Sequence, residues 1–258
     1  MGKEAWGACR ARKPARTHER KKCRSKRWLA LELTSPLHEF FTGGVEYDEG
    51  LDLRLLARFL RDFEAFLDAL EVSRAWGRGI EIKFRRLGKH RADGLYYPDR
   101  SVLVMDVASC RSFAHEFGHL MDYGAGRGPD EPPPGVPVLS AGPEFEPVHR
   151  LLLDRLDRAP VGDPRIAGRN GRLTRAYFAS PSECFARAFE QCAAEWIPPG
   201  GTLSAEKDRY RGDPLFLPDP PPRVLGYYAR ILQAGPLEAA ACAASGVQGS
   251  LGPPDRLG

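Results

Sequence analysis

The chain has 258 residues, 42% of them hydrophobic, and a formal net charge of +4 at pH 7. That length allows one substantial hydrophobic core. No apolar run reaches the roughly 20 residues of a membrane-spanning helix, and residues 28–31 are too few for the core of a signal peptide. The six cysteines have no paired spacing. This favours reduced thiols, and we therefore expect a cytoplasmic protein.

The N-terminal segment is strongly basic. Residues 1–27 hold eleven Lys or Arg and two Glu, a net charge of +9, so the rest of the chain carries −5. We expect residues 1–28 to form a disordered arm. Such an arm could also bind nucleic acid or an acidic partner. A single folded domain is then expected over residues 29–234, followed by a flexible tail of small residues over 235–258.

The first part of the domain predicts one helix and three strands. Apolar residues recur at helical spacing over residues 51–76, which indicates a long amphipathic helix. Residues 80–84 alternate between apolar and polar side chains, as a half-buried strand does. Residues 92–97 and 101–107 flank a Pro-Asp turn and predict a hairpin.

A metal-binding motif follows this hairpin. Residues 115–119 read His-Glu-Phe-Gly-His, on a helix for which Ser109 is a suitable N-cap. At about 100° per residue, His115 and His119 project from one helical face, so both imidazoles can reach one ion. Glu116 points beside that axis, where it can act as a general base on a water molecule.

The C-terminal half predicts further helices between loops. Residues 124–143 are rich in Pro and Gly and predict a long loop, and residues 144–156 predict a short helix. Pro181, with Ser180 as N-cap, begins a helix that runs to about residue 196. A last helix is expected from about residue 223 to 232.

A catalytic zinc normally has three protein ligands, so a third must come from outside the motif. Asp122 is on the same helical face as the histidines, but it lies about 10 Å along the axis from His115. We expect it instead to accept a hydrogen bond from a ligand imidazole or a neighbouring backbone amide. Glu183, in the first turn of the second helix, is the better third ligand. Glu190 lies two turns further along and is expected to support a ligand rather than bind the ion.

The chain resembles a known family at these two motifs. Residues 113–123, Phe-Ala-His-Glu-Phe-Gly-His-Leu-Met-Asp-Tyr, and residues 180–189, Ser-Pro-Ser-Glu-Cys-Phe-Ala-Arg-Ala-Phe, are similar to the lethal-factor-type branch of the zincin metallopeptidases. They also resemble related domains in large polyvalent proteins of phages and mobile elements. The resemblance covers about residues 80–196. Arg187 departs from it, because the family can carry another carboxylate at this position.

This resemblance implies a zincin-like α+β fold, in which a small, mostly antiparallel sheet packs on an active-site helix and a second ligand-bearing helix. It implies Zn²⁺ bound by His115, His119 and Glu183, with Glu116 as general base. Tyr177 would stabilise the oxyanion, and Tyr123 is a competing candidate for that role.

The expected activity is hydrolysis of peptide bonds in a protein or peptide substrate, by an endopeptidase rather than an exopeptidase. Two alternatives remain open. One is a catalytically idle relative that serves as a binding module. The other is a protease that cleaves a DNA-bound regulator and is held on nucleic acid by residues 1–27.

Overall fold

The computed structural model describes residues 26–88, 92–128, 131, 135–160, 163, 166, 174–198 and 200–245. Within these residues the chain forms eight α-helices and one four-stranded sheet, so the predicted α+β class is confirmed. None of the described helices combines the length and the apolar character that crossing a membrane requires. The helices are α1 (Lys26–Leu33), α2 (Leu53–Ala69), α3 (Phe113–Gly124), α4 (Glu146–Asp157), α5 (Arg175–Phe178), α6 (Pro181–Trp196), α7 (Pro222–Ala234) and α8 (Pro236–Ser245).

The sheet is mainly parallel, and the expectation of a mostly antiparallel sheet is wrong. Its strands are β1 (Gly44–Tyr47), β2 (Glu81–Arg85), β3 (Gly94–Tyr97) and β4 (Val102–Asp106), in the order β1-β2-β4-β3. β1 pairs parallel to β2, β2 pairs parallel to β4, and only β3 and β4 form the predicted antiparallel hairpin. The parallel pairing of β1 and β2 follows from α2, because a helix between two neighbouring strands returns the chain to the same end of the sheet.

Aromatic side chains join the sheet to the helices beneath it. The ring of Phe59 on α2 lies 5.4 Å from Phe84 on β2 and 5.4 Å from Phe113 at the start of α3, edge to face in both cases. Phe113 in turn stacks on Phe117 one turn along, at 5.5 Å. All four rings are buried. This continuous aromatic core fixes the position of α3, and therefore the direction in which its polar face points.

Helices α3 and α6 pack against each other at very close range. A Cβ atom added to Gly118 of α3 would lie 2.8 Å from the Cα atom of Ala186 in α6. Real Cβ atoms essentially never approach a backbone atom this closely. The pair of small residues therefore sets the distance between the two helices, and with it the spacing of the functional side chains that they carry.

We expect Gly118→Ala to destabilise the fold, although glycine to alanine inside a helix normally stabilises it by about 1 kcal/mol. The added methyl group must push α6 away, and overpacking of this kind costs about 1–3 kcal/mol. Gly226→Ala in α7 is the matched control, because a Cβ there meets nothing within 4 Å. Urea unfolding of the two variants should give free-energy changes of opposite sign. Equal stabilisation by both would show that α3 and α6 are not in such close contact.

The predicted ends of the folded domain require two corrections. Residues 26–28 belong to α1 rather than to the basic arm, and residues 1–25 lie outside the described part of the chain. Residues 236–245 form α8, so the tail predicted from residue 235 is wrong over that range. Ala239 and Ala243 of α8 are buried, and the small residues that suggested a tail instead allow close packing. Residues 246–258 lie outside the described residues.

Helix α3 also begins later than the sequence indicates. Its N-cap is Ser112 rather than Ser109, whose hydroxyl accepts a hydrogen bond from the Arg111 amide in the preceding turn. This shift leaves the motif in the first two turns of α3. The end of the helix at Gly124 agrees with the prediction.

Candidate metal centre

The two motif histidines lie side by side on the polar face of α3. Their ring centroids are 4.9 Å apart and the ring planes are nearly perpendicular. His115 Nε2 and His119 Nε2 each lie 3.3 Å from the same atom, Oε1 of Glu183. The helical spacing therefore places both Nε2 atoms beside the same carboxylate oxygen.

Glu183 is brought to this point by the first turn of α6. The helix begins at Pro181, which has the backbone angle of a first helical residue and lacks the amide hydrogen that would otherwise be unpaired. The Glu183 side chain is 3% exposed. One ligand atom each from His115, His119 and Glu183 lie within 4.8 Å of one another, and this group could hold a metal ion.

The donor spacing fits a small divalent ion. Ligand atoms at 2.0–2.1 Å from a tetrahedral ion are about 3.3 Å apart. The two imidazole nitrogens have this separation from Glu183 Oε1. Each imidazole nitrogen therefore has the spacing from Glu183 Oε1 that two ligands of one tetrahedral ion would have.

The outer nitrogen of each imidazole also has a partner. His115 Nδ1 lies 3.3 Å from Glu190 Oε2, and His119 Nδ1 lies 3.3 Å from the Ser182 hydroxyl. Tyr210 donates a hydrogen bond of 3.1 Å to the other oxygen of Glu190. These contacts orient both rings with Nε2 towards Glu183, and outer partners of this kind raise the affinity of a site for its metal.

Glu183 has two further partners, one on each oxygen. The Tyr177 hydroxyl donates a hydrogen bond of 2.6 Å to Oε1, and Arg187 Nη2 donates one of 3.0 Å to Oε2. Tyr177 is 40% exposed as a residue, while its hydroxyl donates to the buried Glu183. Tyr123, the competing tyrosine, places its ring 6.5 Å from the His119 ring. The Tyr177 hydroxyl thus reaches the group of His115, His119 and Glu183, hereafter the ligand cluster.

The Glu116 side chain extends from α3 towards the edge strand β3, beside the ligand cluster. It is 8% exposed, and a Cβ atom at Gly94 of β3 would lie 2.7 Å from Glu116 Cγ. Burial raises the pKa of the Glu116 carboxyl, although its electrostatic interactions with His115 and His119 oppose this shift. A raised pKa makes this carboxylate a stronger base than an exposed glutamate.

In the described part of the chain, no hydrogen bond joins Asp122 to either imidazole. It is completely buried, and its Oδ1 accepts a hydrogen bond of 2.8 Å from the Ser140 amide. Its backbone carbonyl also accepts one from the Val138 amide. Of the two roles expected for Asp122, the structure gives it the contact with a backbone amide, which fastens the loop after α3 to the helix.

The charges of the centre favour a cation. Glu116, Glu183 and Glu190 are acidic, while Arg187 is the one arginine paired with them in the described part of the chain. Burial alone would lower the pKa of His115, but its contacts with Glu183 and Glu190 outweigh burial and raise that pKa to about 10. Burial would raise the pKa of Glu183, but His115, His119 and Arg187 hold it well below its usual value. In the absence of a metal ion, a proton on His115 therefore balances part of the negative charge of the surrounding carboxylates.

Sequence reasoning assigned no role to three residues at the centre. Arg187 stands four residues after Glu183, so helical spacing could have indicated their contact. Ser182 is part of the quoted motif, but its contact with His119 depends on how α6 packs against α3. Tyr210 follows a short 3₁₀ turn, Lys207–Arg209, and no spacing rule relates it to Glu190.

Comparisons of the chain with protein-family models, with curated proteins and with solved structures gave no match. Function must therefore be inferred from the geometry of the centre itself.

Proposed function

We propose that this chain is a zinc-dependent peptidase that hydrolyses peptide bonds in proteins or peptides. The observation that supports the proposal is the approach of His115 Nε2 and His119 Nε2 to one oxygen of Glu183. Glu116, which follows His115 in the chain, adds a carboxylate beside this group. Two imidazoles and one carboxylate are a ligand set of catalytic zinc in peptidases, and three protein ligands leave a position for water.

The residues around the ion divide the chemistry between them. A bound zinc ion would lower the pKa of water and polarise the scissile carbonyl group. Glu116 would take the proton from the attacking water and deliver it to the leaving amine, for which its raised pKa is suited. The hydroxyl of Tyr177, which lies at the ligand cluster, would donate a hydrogen bond to the oxyanion that develops on the substrate.

The position of β3 supports a peptide as the substrate. β3 is one of the two edge strands of the sheet and pairs with β4, and its backbone at Gly94 lies against Glu116. An extended peptide can add to such an edge through main-chain hydrogen bonds. A peptide bound in this way would lie beside the general base, which favours an endopeptidase because the chain can continue past both ends of the strand.

Hydrolysis can be tested without knowing the natural substrate. The zinc-loaded protein is incubated with a mixture of peptides of varied sequence, and mass spectrometry counts the new N-termini. We expect cleavage that a chelator abolishes and added zinc restores. Stoichiometric zinc without any cleavage would contradict the peptidase and favour a catalytically idle binding module.

Zinc binding is expected to release about one proton per ion at neutral pH. The pKa of His115 is raised from its ordinary value of 6.5 to about 10. The contribution of the protonated ring to stability is therefore fully present below pH 6.5 and is lost as the pH rises through about 10. Zinc must displace this proton, so its apparent affinity should increase with pH over the same interval. Titration calorimetry in buffers of different ionisation enthalpy measures the release. A pH-independent affinity would contradict the proton on His115.

A further inference from the structure

The two oxygens of the Glu183 carboxylate have different surroundings. Both imidazoles and the Tyr177 hydroxyl approach Oε1. Oε2 instead receives Nη2 of Arg187, at 3.0 Å. One oxygen therefore faces the position of an ion, while the other is held by a guanidinium group on the opposite side.

Arg187 is itself held in place. It lies one turn after Glu183 on α6 and is 7% exposed. Its guanidinium carbon lies 4.5 Å from the ring centroid of Phe178 and 6.0 Å from that of Tyr177. Within the described residues, Glu183 is the one acid that lies within ion-pair distance of it. A cation fixed between aromatic rings and a buried carboxylate cannot move away at little cost.

We propose that Arg187 is a positioning residue that keeps Glu183 a metal ligand through one oxygen only. The inference rests on the proposed function. A carboxylate with both oxygens free can bind an ion through both, which adds a fifth ligand to the ion and crowds the position that water needs. The hydrogen bond from Arg187 to Oε2 prevents this, and it also holds the Glu183 side chain in one orientation. Arg187 thus keeps the centre open for water.

Cobalt in place of zinc makes the number of ligands visible. Four-coordinate Co²⁺ absorbs visible light several times more strongly than five- or six-coordinate Co²⁺. We expect the strong absorption for the wild-type protein and a severalfold loss of intensity for Arg187→Gln, in which both oxygens of Glu183 can bind. Arg187→Lys keeps a positive charge near Oε2 and should restore most of the intensity.

Arg230→Gln is the matched control. Arg230 also pairs with a carboxylate, Glu144, at 3.1 Å and lies 5.9 Å from the ring centroid of Tyr227. It does not contact the ligand cluster, so its cobalt spectrum should equal that of the wild type. Zinc affinity should fall by about 10- to 100-fold in Arg187→Gln, which is the usual effect of removing a partner of a metal ligand.

Two results would overturn the role of Arg187. The first is a folded Arg187→Gln variant with the cobalt spectrum and zinc affinity of the wild type. The second needs no variant, and so applies even if Arg187→Gln does not fold: X-ray absorption of the zinc-loaded wild type that shows a carboxylate bound through both oxygens. Failure of the wild type to bind either metal would instead overturn the proposed function itself.

Discussion

Glu116→Gln is expected to lower kcat for peptide hydrolysis by about 10²- to 10⁴-fold, the contribution typical of a general base. The amide keeps the size of the side chain but cannot take a proton from water. Zinc content should remain at one ion per chain, because the described ligand cluster consists of His115, His119 and Glu183 and does not include Glu116. Parallel measurement of zinc by elemental analysis and of cleavage rate by mass spectrometry separates the two effects.

Glu195→Gln is the control for this substitution. Glu195 lies near the end of α6, and its partner is Lys207 at the surface, at 2.6 Å. Its variant should cleave peptides at the wild-type rate. If Glu116→Gln retained full activity with zinc bound, Glu116 would not be the base, and the mechanism proposed for the centre would be wrong.

Glu183→Ala is expected to have two separate effects. It removes the carboxylate ligand, so stoichiometric zinc binding should be lost. It also leaves Arg187, whose side chain is 9% exposed, without its ion-pair partner. Removing one member of a buried ion pair costs about 3–5 kcal/mol. The metal-free variant should therefore be less stable than the metal-free wild type by this amount, as measured by urea unfolding in the presence of a chelator.

Glu144→Ala is the matched control for the loss of stability. It removes the partner of Arg230, whose side chain is 32% exposed and can therefore be solvated by water. We expect a cost of at most about 1 kcal/mol for such a pair, and no change in zinc binding. Retention of stoichiometric zinc by Glu183→Ala would show that another residue provides the third ligand.

Local patterns predicted much of the framework that carries the centre. The spacing of apolar residues indicated α2. The two segments on either side of the Pro98-Asp99 turn indicated the hairpin of β3 and β4. The parallel pairing of β1 with β2 could not be predicted in the same way. β1 has only four residues, Gly44–Tyr47, so its apolar–polar alternation is too short to indicate a strand. Without β1, nothing in the sequence indicated the crossover through α2.

The candidate site could be predicted where one helix carries the information. His115 and His119 are four residues apart, and the periodicity of a helix fixes their relative direction. The approach of Glu183 depends on the packing of Gly118 against Ala186, which residue spacing alone does not determine. Tyr210 reaches Glu190 from a segment without regular structure, and this contact depends entirely on tertiary packing.

The predicted basic arm bears on where the protein acts rather than on its chemistry. Residues 1–25 lie outside the described part of the chain, so attachment to nucleic acid or to an acidic partner stays a prediction. Salt-sensitive binding to DNA that disappears when residues 1–27 are deleted would support attachment of the arm to nucleic acid.

Anomalous X-ray diffraction at the zinc absorption edge, from crystals of the zinc-loaded protein, tests the metal centre most directly. We predict one strong anomalous peak per chain, at about 2.0–2.2 Å from His115 Nε2, His119 Nε2 and a single oxygen of Glu183. A peak at other residues, or no peak between α3 and α6 at saturating zinc, would contradict the proposed function.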